Sequence, residues 1–353
     1  MQVLLLGGTG AMGSYLSEIL SDKGIDTYIT SRHKRSNKNN ITYIQGDAKN
    51  IEFIGNLLTN KWDAIVDFMV YDTATFESRA NLLLDSTNQY IYLSSSRVYA
   101  ESKDKITEES PRLLDVCKDE TYLSTDEYAL TKARQENVLQ ESKKKNWTII
   151  RPYITYGKER LQLGNLEKEY WLYSALNGRA IIFNKEIAAK TTTLTNGYDV
   201  ARAITALIGN TKAYGEVFHI TNPKSATWDK VLDIYLDTLE KHCGKRPKVR
   251  FTSLPKFISC FPALYQIQYD RLYNREFDNS KIGQYIDINT FVDIEDGLES
   301  TLTQFIRDPK FKIMNHFTIA KANIYAGVVN FYHYKTIFIW FLKRIVKKIL
   351  RMK

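Results

Sequence analysis

Tyr128 and Lys132 stand four residues apart, on one face of any helix that carries them. A neighbouring cation favours the phenolate, so Lys132 would lower a tyrosine pKa that is ordinarily ~10. Tyr128 then becomes usable as a general acid or base near neutrality. The spacing alone is common in a chain with 23 tyrosines. It gains weight from Leu93-Ser94-Ser95-Ser96-Arg97-Val98-Tyr99 upstream, a run of hydroxyls at a strand's carboxyl end, where α/β folds bind ligands. A second cluster works through its backbone. Gly7-Gly8-Thr9-Gly10-Ala11-Met12-Gly13 follows an apolar run and opens a helical one, the context a dinucleotide fingerprint requires. Glycine permits the tight turn and lets the main chain approach a pyrophosphate. The helix N-terminus offers it free N–H groups and a partial positive charge.

These groups need a scaffold, and the first 150 residues supply one by alternation. Val3–Leu6, Thr27–Thr30, Ile41–Ile44, Ala64–Val70, Tyr90–Ser94 and Thr148–Ile150 read as strands. Helix-like stretches lie between them, the first over Ala11–Lys23 with Met12, Leu16, Ile19 and Leu20 on one face. The pattern predicts a doubly wound parallel α/β sheet, a Rossmann domain covered on both faces. At ~150 residues per domain, 353 residues leave room for a second body. We expect the dinucleotide-binding domain over 1–157, with 195–222 returning to it. A smaller discontinuous substrate lobe falls over 158–194 and 223–308, and a basic tail over 309–353.

The second strand ends Thr30-Ser31-Arg32-His33-Lys34-Arg35, with no acid at its tip. An acid there would bond the ribose 2′-hydroxyl of NAD, whereas basic residues suit the 2′-phosphate of NADP. The cofactor expected is NAD(P), with NADP favoured and Ser31 and Arg32 beside the ribose. Asp47, followed by Ala48 after the third strand, is placed to meet the adenine. Phe68 begins as core and the stretch to Val70 ends as cofactor wall.

Taken in order, the motifs resemble those of the extended short-chain dehydrogenase/reductases, the NAD-dependent epimerase/dehydratase family. They are Gly7-x-x-Gly10-x-x-Gly13, Gly46-Asp47, Leu93-Ser94-Ser95-Ser96-x-Val98-Tyr99, Tyr128-x-x-x-Lys132 and Arg151-Pro152-x-x-x-Tyr156-Gly157. The resemblance implies that Ser95 bonds a substrate oxygen, Tyr128 exchanges the proton, and Lys132 holds the nicotinamide ribose. Thr9, Ala11, Met12 and Ser94 would join the cofactor site, with Pro152 and Tyr153 bordering the nicotinamide. It further implies a nucleotide-sugar epimerase or 4-keto-reductase, in which hydride passes between a sugar carbon and the cofactor. Sugar 4,6-dehydratases of the family resemble one another in a Thr-Asp-Glu run where this chain has Ser95-Ser96-Arg97, which demotes dehydration. Arg160, Arg271 and Arg275 are candidates for a diphosphate clamp, because guanidinium forks match phosphate. The rival class is a non-catalytic nucleotide- or RNA-binding protein on the same scaffold.

Charge adds a separate clue. Ten basic residues follow Asp308, where no acid remains, so residues 1–308 carry a net −1 against +9 for the whole chain. A polyanion-binding face across the body is not supported, and no nucleic-acid partner is expected. From Lys335 the tail alternates paired bases with Ile345, Val346, Ile349 and Leu350 behind Phe338, Trp340 and Phe341. As a helix it would carry a basic and an apolar stripe, fit for an anionic membrane interface or for docking on the body or on a second subunit. Three cysteines and five scattered histidines show no metal-ligand spacing, so neither a disulfide scaffold nor a zinc site is expected. No leader is recognisable at the start of the chain, and we expect a cytoplasmic protein, attached peripherally at the membrane's inner face and able to pair as a homodimer.

Overall fold

The apolar tetrad Val3–Leu6 is wholly buried, and its alternation builds two cores at once. Val3 and Leu5 join Leu16, Leu20, Val200, Ile204 and Leu207 on one face of a sheet. Leu4 and Leu6 join Ile54, Phe76, Leu83 and Leu139 on the other. A strand buried on both faces belongs to a parallel sheet with helices on each side. The computed structural model describes residues 1–158, 160–312, 315–325, 327 and 338–339. Its main sheet has seven strands, here β1 (Gln2–Leu6), β2 (Asp26–Ser31), β3 (Ile41–Gln45), β4 (Trp62–Asp67), β5 (Thr87–Leu93), β6 (Trp147–Pro152) and β7 (Glu216–Ile220). They lie in the spatial order β7-β6-β5-β4-β1-β2-β3, and every pairing is parallel. The order reverses between β1 and β4, the switch point at which such sheets bind ligands.

Helices α1 (Ala11–Asp22), α2 (Ile51–Leu57), α3 (Thr73–Asp85), α4 (Tyr128–Gln140) and α5 (Gly197–Leu207) cover the sheet. Asp72 and Asn50 cap α3 and α2 by accepting from the backbone N–H groups of Thr75 and Phe53, which satisfies donors that a helix start leaves open. The fourth strand stops at Asp67 rather than running on to Val70. The Asp67 carboxylate accepts from the Met69 N–H at 2.8 Å and turns the chain off the sheet.

Two compact units partition the chain. The first comprises Met1–Gly157, Thr192–Ser225 and Asn274–Gly297. The stretch 274–297, which the sequence pattern assigns to the second lobe, is tied to the first by distant partners. The Arg275 guanidinium donates to the Tyr99 and Ala100 carbonyls, and Asn279 accepts from the Thr221 hydroxyl. The second unit comprises Lys158–Thr191, Ala226–Tyr273 and Leu298–Lys353. Within it the 16-residue helix Trp228–Cys243 sets the Tyr235 ring against Trp171, with ring centroids 4.4 Å apart. Apart from Phe338 and Ile339, the basic tail 335–353 lies outside the described residues. Among the described residues no helix is long and apolar enough to cross a membrane, and no cluster of His, Cys, Asp or Glu could hold a metal ion.

Candidate active site

Each glycine of the loop between β1 and α1 does a different job. Gly7 adopts φ +69°, a conformation that side chains resist, and its N–H donates to the Thr30 hydroxyl at 2.9 Å. A Cβ on Gly13 would sit 2.4 Å from the Gly8 carbonyl oxygen, so α1 presses on the loop's own backbone. A Cβ on Gly10 would meet nothing within 4 Å, which leaves open space above the helix start. That start has no side-chain cap and no acid in its first turn. Ala11 and Met12 are its half-buried first residues. An uncapped helix N-terminus with open space above it fits a pyrophosphate.

Beside the loop lies a cavity of about 330 Å³, lined by Gly7, Thr9, Thr30, Ser31, Arg32, Gly46, Asp47, Ala48, Lys49 and Met69. Six residues expected from the sequence at the cofactor site line it: Gly7, Thr9, Ser31, Arg32, Asp47 and Ala48. The Ser31 hydroxyl is engaged in the turn that follows, donating to the His33 carbonyl at 2.8 Å. Arg32 is exposed. Below the cavity, buried Arg79 donates to the Ala48 and Lys49 carbonyls at 3.1 Å each and so fixes the loop after β3. Arg79 is not recognisable from a fingerprint, because it reaches this loop from α3, whereas Met69 falls in the 68–70 stretch expected to end as cofactor wall.

The second cluster stands at the end of β5. Lys132 is 2% exposed; its ammonium donates to the Leu93 carbonyl at 2.7 Å and lies 4.5 Å from the Tyr92 ring centre and 6.0 Å from that of Tyr128. Burial pushes its pKa down to about 8, against the pull of Asp67 and Glu136. Tyr128 is the first residue of α4 and half-buried. Ser95 is 7% exposed, two residues beyond Leu93, and its hydroxyl caps the turn Ser96–Val98 by accepting from the Arg97 N–H at 3.2 Å. Ser95, Tyr128 and Lys132 thus gather where β5 meets α4. The Ser94 hydroxyl is given instead to Glu136, at 2.5 Å. Phe68 packs on the core face shared with α1 and α5, Pro152 closes β6, and the buried Tyr153 ring lies 5.3 Å from Phe277.

Behind this set stands a wall of buried charge. Glu136, one turn after Lys132, is wholly buried and pairs with Arg151 at 2.7 Å and with Arg112 at 3.2 Å. Asp67 is also wholly buried and accepts from Tyr90 at 2.8 Å and Tyr71 at 3.2 Å. Burial holds its carboxyl above the ordinary range, opposed by the Met69 amide, the Tyr90 phenol and the Lys132 charge. His219 is a core residue, its Nε2 2.6 Å from the Asp278 carbonyl oxygen, with burial pushing its pKa down to about 4. Of these groups, Glu136 had a readable signal, an acid at i+4 after Lys132. Asp67 had none.

The arginines expected to clamp a diphosphate divide. Arg275 is wholly buried against the Tyr99 and Ala100 carbonyls, and Arg271 is 2% exposed, donating to the Gly164 carbonyl at 2.9 Å and pairing with Asp270. Both are internal braces. Arg160 pairs with Glu167 at 3.2 Å on the surface.

A parallel sheet with a glycine loop at its switch point and a Tyr-x-x-x-Lys helix beyond β5 defines a Rossmann domain of the extended short-chain dehydrogenase/reductase kind. The chain belongs to the NAD dependent epimerase/dehydratase family, whose model matches residues 3–220. It is similar in fold to UDP-glucuronic acid 4-epimerase from Bacillus cereus in complex with NAD, at TM-score 0.66 and 18% identity over 88% of this chain and 100% of that one. It is equally similar to epimerase Mth375 from Methanothermobacter thermautotrophicus, at TM-score 0.66 and 16% identity over 87% and 92%. It also resembles dTDP-glucose 4,6-dehydratase from Bacillus anthracis in complex with NAD, at TM-score 0.65 and 16% identity over 87% and 97%. In sequence it is 27% identical, over 244 residues, to the chloroplast stem-loop binding protein of 41 kDa b of Arabidopsis thaliana. That match spans 65% of this chain and 60% of the relative's length.

Proposed function

We propose that this chain is an NAD(P)-dependent enzyme that epimerises or reduces a nucleotide-activated sugar. One observation carries the reading: a wholly buried ammonium, Lys132, 6.0 Å from the ring centre of a half-exposed phenol that also meets Arg97 of the turn Ser95 caps. A purely structural lysine gains little from such a site, since burial opposes its charge. When bound, the nicotinamide supplies the hydride chemistry. Tyr128 takes or gives the proton at the sugar hydroxyl oxygen, Ser95 donates to that oxygen, and Lys132 favours the phenolate and holds the ribose. The uncapped start of α1 receives the pyrophosphate, and Gly10 leaves the room for it. Arg32, just past the tip of β2 in the acid-free run Thr30-Ser31-Arg32-His33-Lys34-Arg35, favours NADP. Arg32→Glu is expected to reverse that preference by roughly tenfold, about 1.4 kcal/mol, read by titrating each reduced cofactor.

The test is a panel of UDP- and dTDP-sugars assayed with the protein and with Tyr128→Phe. Turnover should fall by about 10²–10⁴ while cofactor binding survives; unchanged turnover rejects the mechanism. Net loss of reduced-cofactor absorbance marks a reductase, and conversion without such loss marks an epimerase.

The Arabidopsis relative favours a second reading, a protein that binds a nucleic-acid stem-loop on this scaffold. Stem-loop binding that survives Tyr128→Phe, with no sugar turned over, would establish it. The tail from Lys335 to Lys353 supports peripheral attachment to an anionic membrane, at ~1 kcal/mol for each basic residue near the surface. Co-sedimentation with anionic vesicles should be salt-sensitive and lost when the chain ends before Thr336, with turnover intact. Equal partitioning of both versions points to docking on protein, including a second copy in a homodimer.

A further inference from the structure

Arg97 lies in the turn after β5, two residues beyond Ser95, and its guanidinium makes two contacts on the far side of the site. It pairs with Glu127, the cap residue of α4, with both side chains only 14% exposed. Its central carbon also lies 5.3 Å from the Tyr128 ring centre. Glu127 in turn accepts from the Ala129 N–H at 2.7 Å and from the Tyr122 hydroxyl at 3.3 Å, so the carboxylate that holds Arg97 also starts the helix bearing the phenol. The serine turn and the tyrosine helix are therefore bolted together by one arginine. The Tyr128 ring consequently has a cation within 6.0 Å twice over, Lys132 from its own helix and Arg97 from the turn.

We propose that Arg97 is a positioning residue that fixes the Tyr128 phenol against the Ser95 turn and, together with Lys132, stabilises its phenolate. This deepens the reading of Tyr128 as the proton-exchanging group and rests on it. A cation over an aromatic face is attracted to the ring, and an opposite charge within ~4–6 Å favours the ionised form of its neighbour. Arg97 and Lys132 favour the phenolate, Glu127 opposes it, and Tyr92 on β5 interacts electrostatically with it. Asp67 and Glu136 act on Lys132. On the helices packed against α4, Arg79 is engaged at Tyr71 and Asp115 at Arg112. Removing Arg97 takes away a favourable charge and leaves the Glu127 carboxylate without its cation, and both changes disfavour the phenolate.

The test is an ultraviolet titration of tyrosine ionisation on the full chain with no ligand added, so it does not depend on knowing the substrate. Subtracting the curve of Tyr128→Phe from that of the unaltered protein isolates the Tyr128 transition. The subtraction is favoured because burial pushes Tyr71, Tyr90 and Tyr92 upward and out of the way. Arg97→Gln and Arg97→Met should each raise the midpoint by about one pH unit, and Arg97→Lys should restore part of it. Two neutral variants are used so that poor folding of one leaves the other to decide. A midpoint unmoved in the neutral variants, with melting temperature lowered alike in Gln, Met and Lys forms, overturns the proposal and leaves Arg97 a structural brace. The wider mechanism fails separately, if Tyr128→Phe leaves sugar turnover unchanged while the titration still responds to Arg97.

Discussion

The loop at the start of α1 and the wall behind Lys132 are both parts of one candidate site, yet they are built on opposite principles. The loop is backbone: glycines, an uncapped helix start and space. The wall is side chain: buried Glu136 with buried Arg151 and the 13% exposed Arg112, and buried Asp67 with two tyrosines. A site made of backbone can stay open to solvent, because its donors are satisfied by water until a ligand replaces it. A site made of charges must be dry and fully paired, since an unpaired ion in that setting is far more damaging than a missing contact. The open part of the loop, at Gly10, should therefore lose binding with little change in stability, and the wall should do the reverse.

Glu136→Gln is the strongest challenge to this contrast. It leaves Arg151, 3% exposed, facing an amide, and breaking a buried pair on one side typically destabilises by about 3–5 kcal/mol. Urea unfolding measures it, and a loss below about 1 kcal/mol, the scale of an exposed pair, would show the wall to be dispensable.

Lys132 gives the next largest effect, visible in pH. Below pH about 8 its ammonium is charged in the folded and unfolded chain alike, and burial opposes folding in full. Between there and ~10.4 the unfolded chain holds the extra proton, so stability gains a term that rises with pH, reaching about 3 kcal/mol. Lys132→Met should remove that rise, and unfolding curves taken across the interval check it. Turnover that depends on the Lys132 charge should decline above pH about 8.

On the loop side, Gly13→Ala forces a methyl to 2.4 Å from the Gly8 oxygen and should destabilise by about 1–3 kcal/mol, read by thermal melting. Gly10→Ala is the sharper comparison. Its methyl meets no protein atom within 4 Å, so melting should shift by less than about 1 kcal/mol. Cofactor affinity should nevertheless fall by roughly tenfold or more, about 1.4 kcal/mol, because the methyl would fill the open space proposed for the pyrophosphate. Equal effects of the two substitutions on stability would erase the distinction between packing glycine and ligand glycine.

The same contrast explains what could be read from the chain beforehand. Gly7, Gly10 and Gly13 and the Tyr128–Lys132 pair are local spacings, written within a turn or two of helix, and they were legible. Val3–Leu6 at the heart of the sheet was legible too, because burial on both faces makes it uniformly apolar. The wall was not, because its partners come from distant strands and helices. Arg151 reaches Glu136 across fifteen positions, and Tyr90 reaches Asp67 across 23. Arg271 and Arg275 look like phosphate ligands in a list of residues, and only the fold gives them to backbone carbonyls. Val70 looked like strand because it is apolar, whereas the Asp67 carboxylate had already ended β4.

The position of β7 has a consequence for the order in which the chain is made. Its partner β6 is complete at Pro152, but Glu216–Ile220 arrives only after the segment that belongs to the other unit. At ~5–20 residues per second of synthesis, the far edge of Thr148-Ile149-Ile150 waits several seconds without a neighbour. An unpaired apolar edge invites pairing with another chain. A nascent protein in that interval holds its glycine loop, Ser95, Tyr128 and Lys132, but lacks β7, the stretch 274–297 and, until residue 207, the complete helix α5. Chains released between residues 157 and 215 are expected to aggregate although they hold Ser95, Tyr128 and Lys132, which makes the sixty-odd codons before β7 the stretch where a pause in translation would do the most harm.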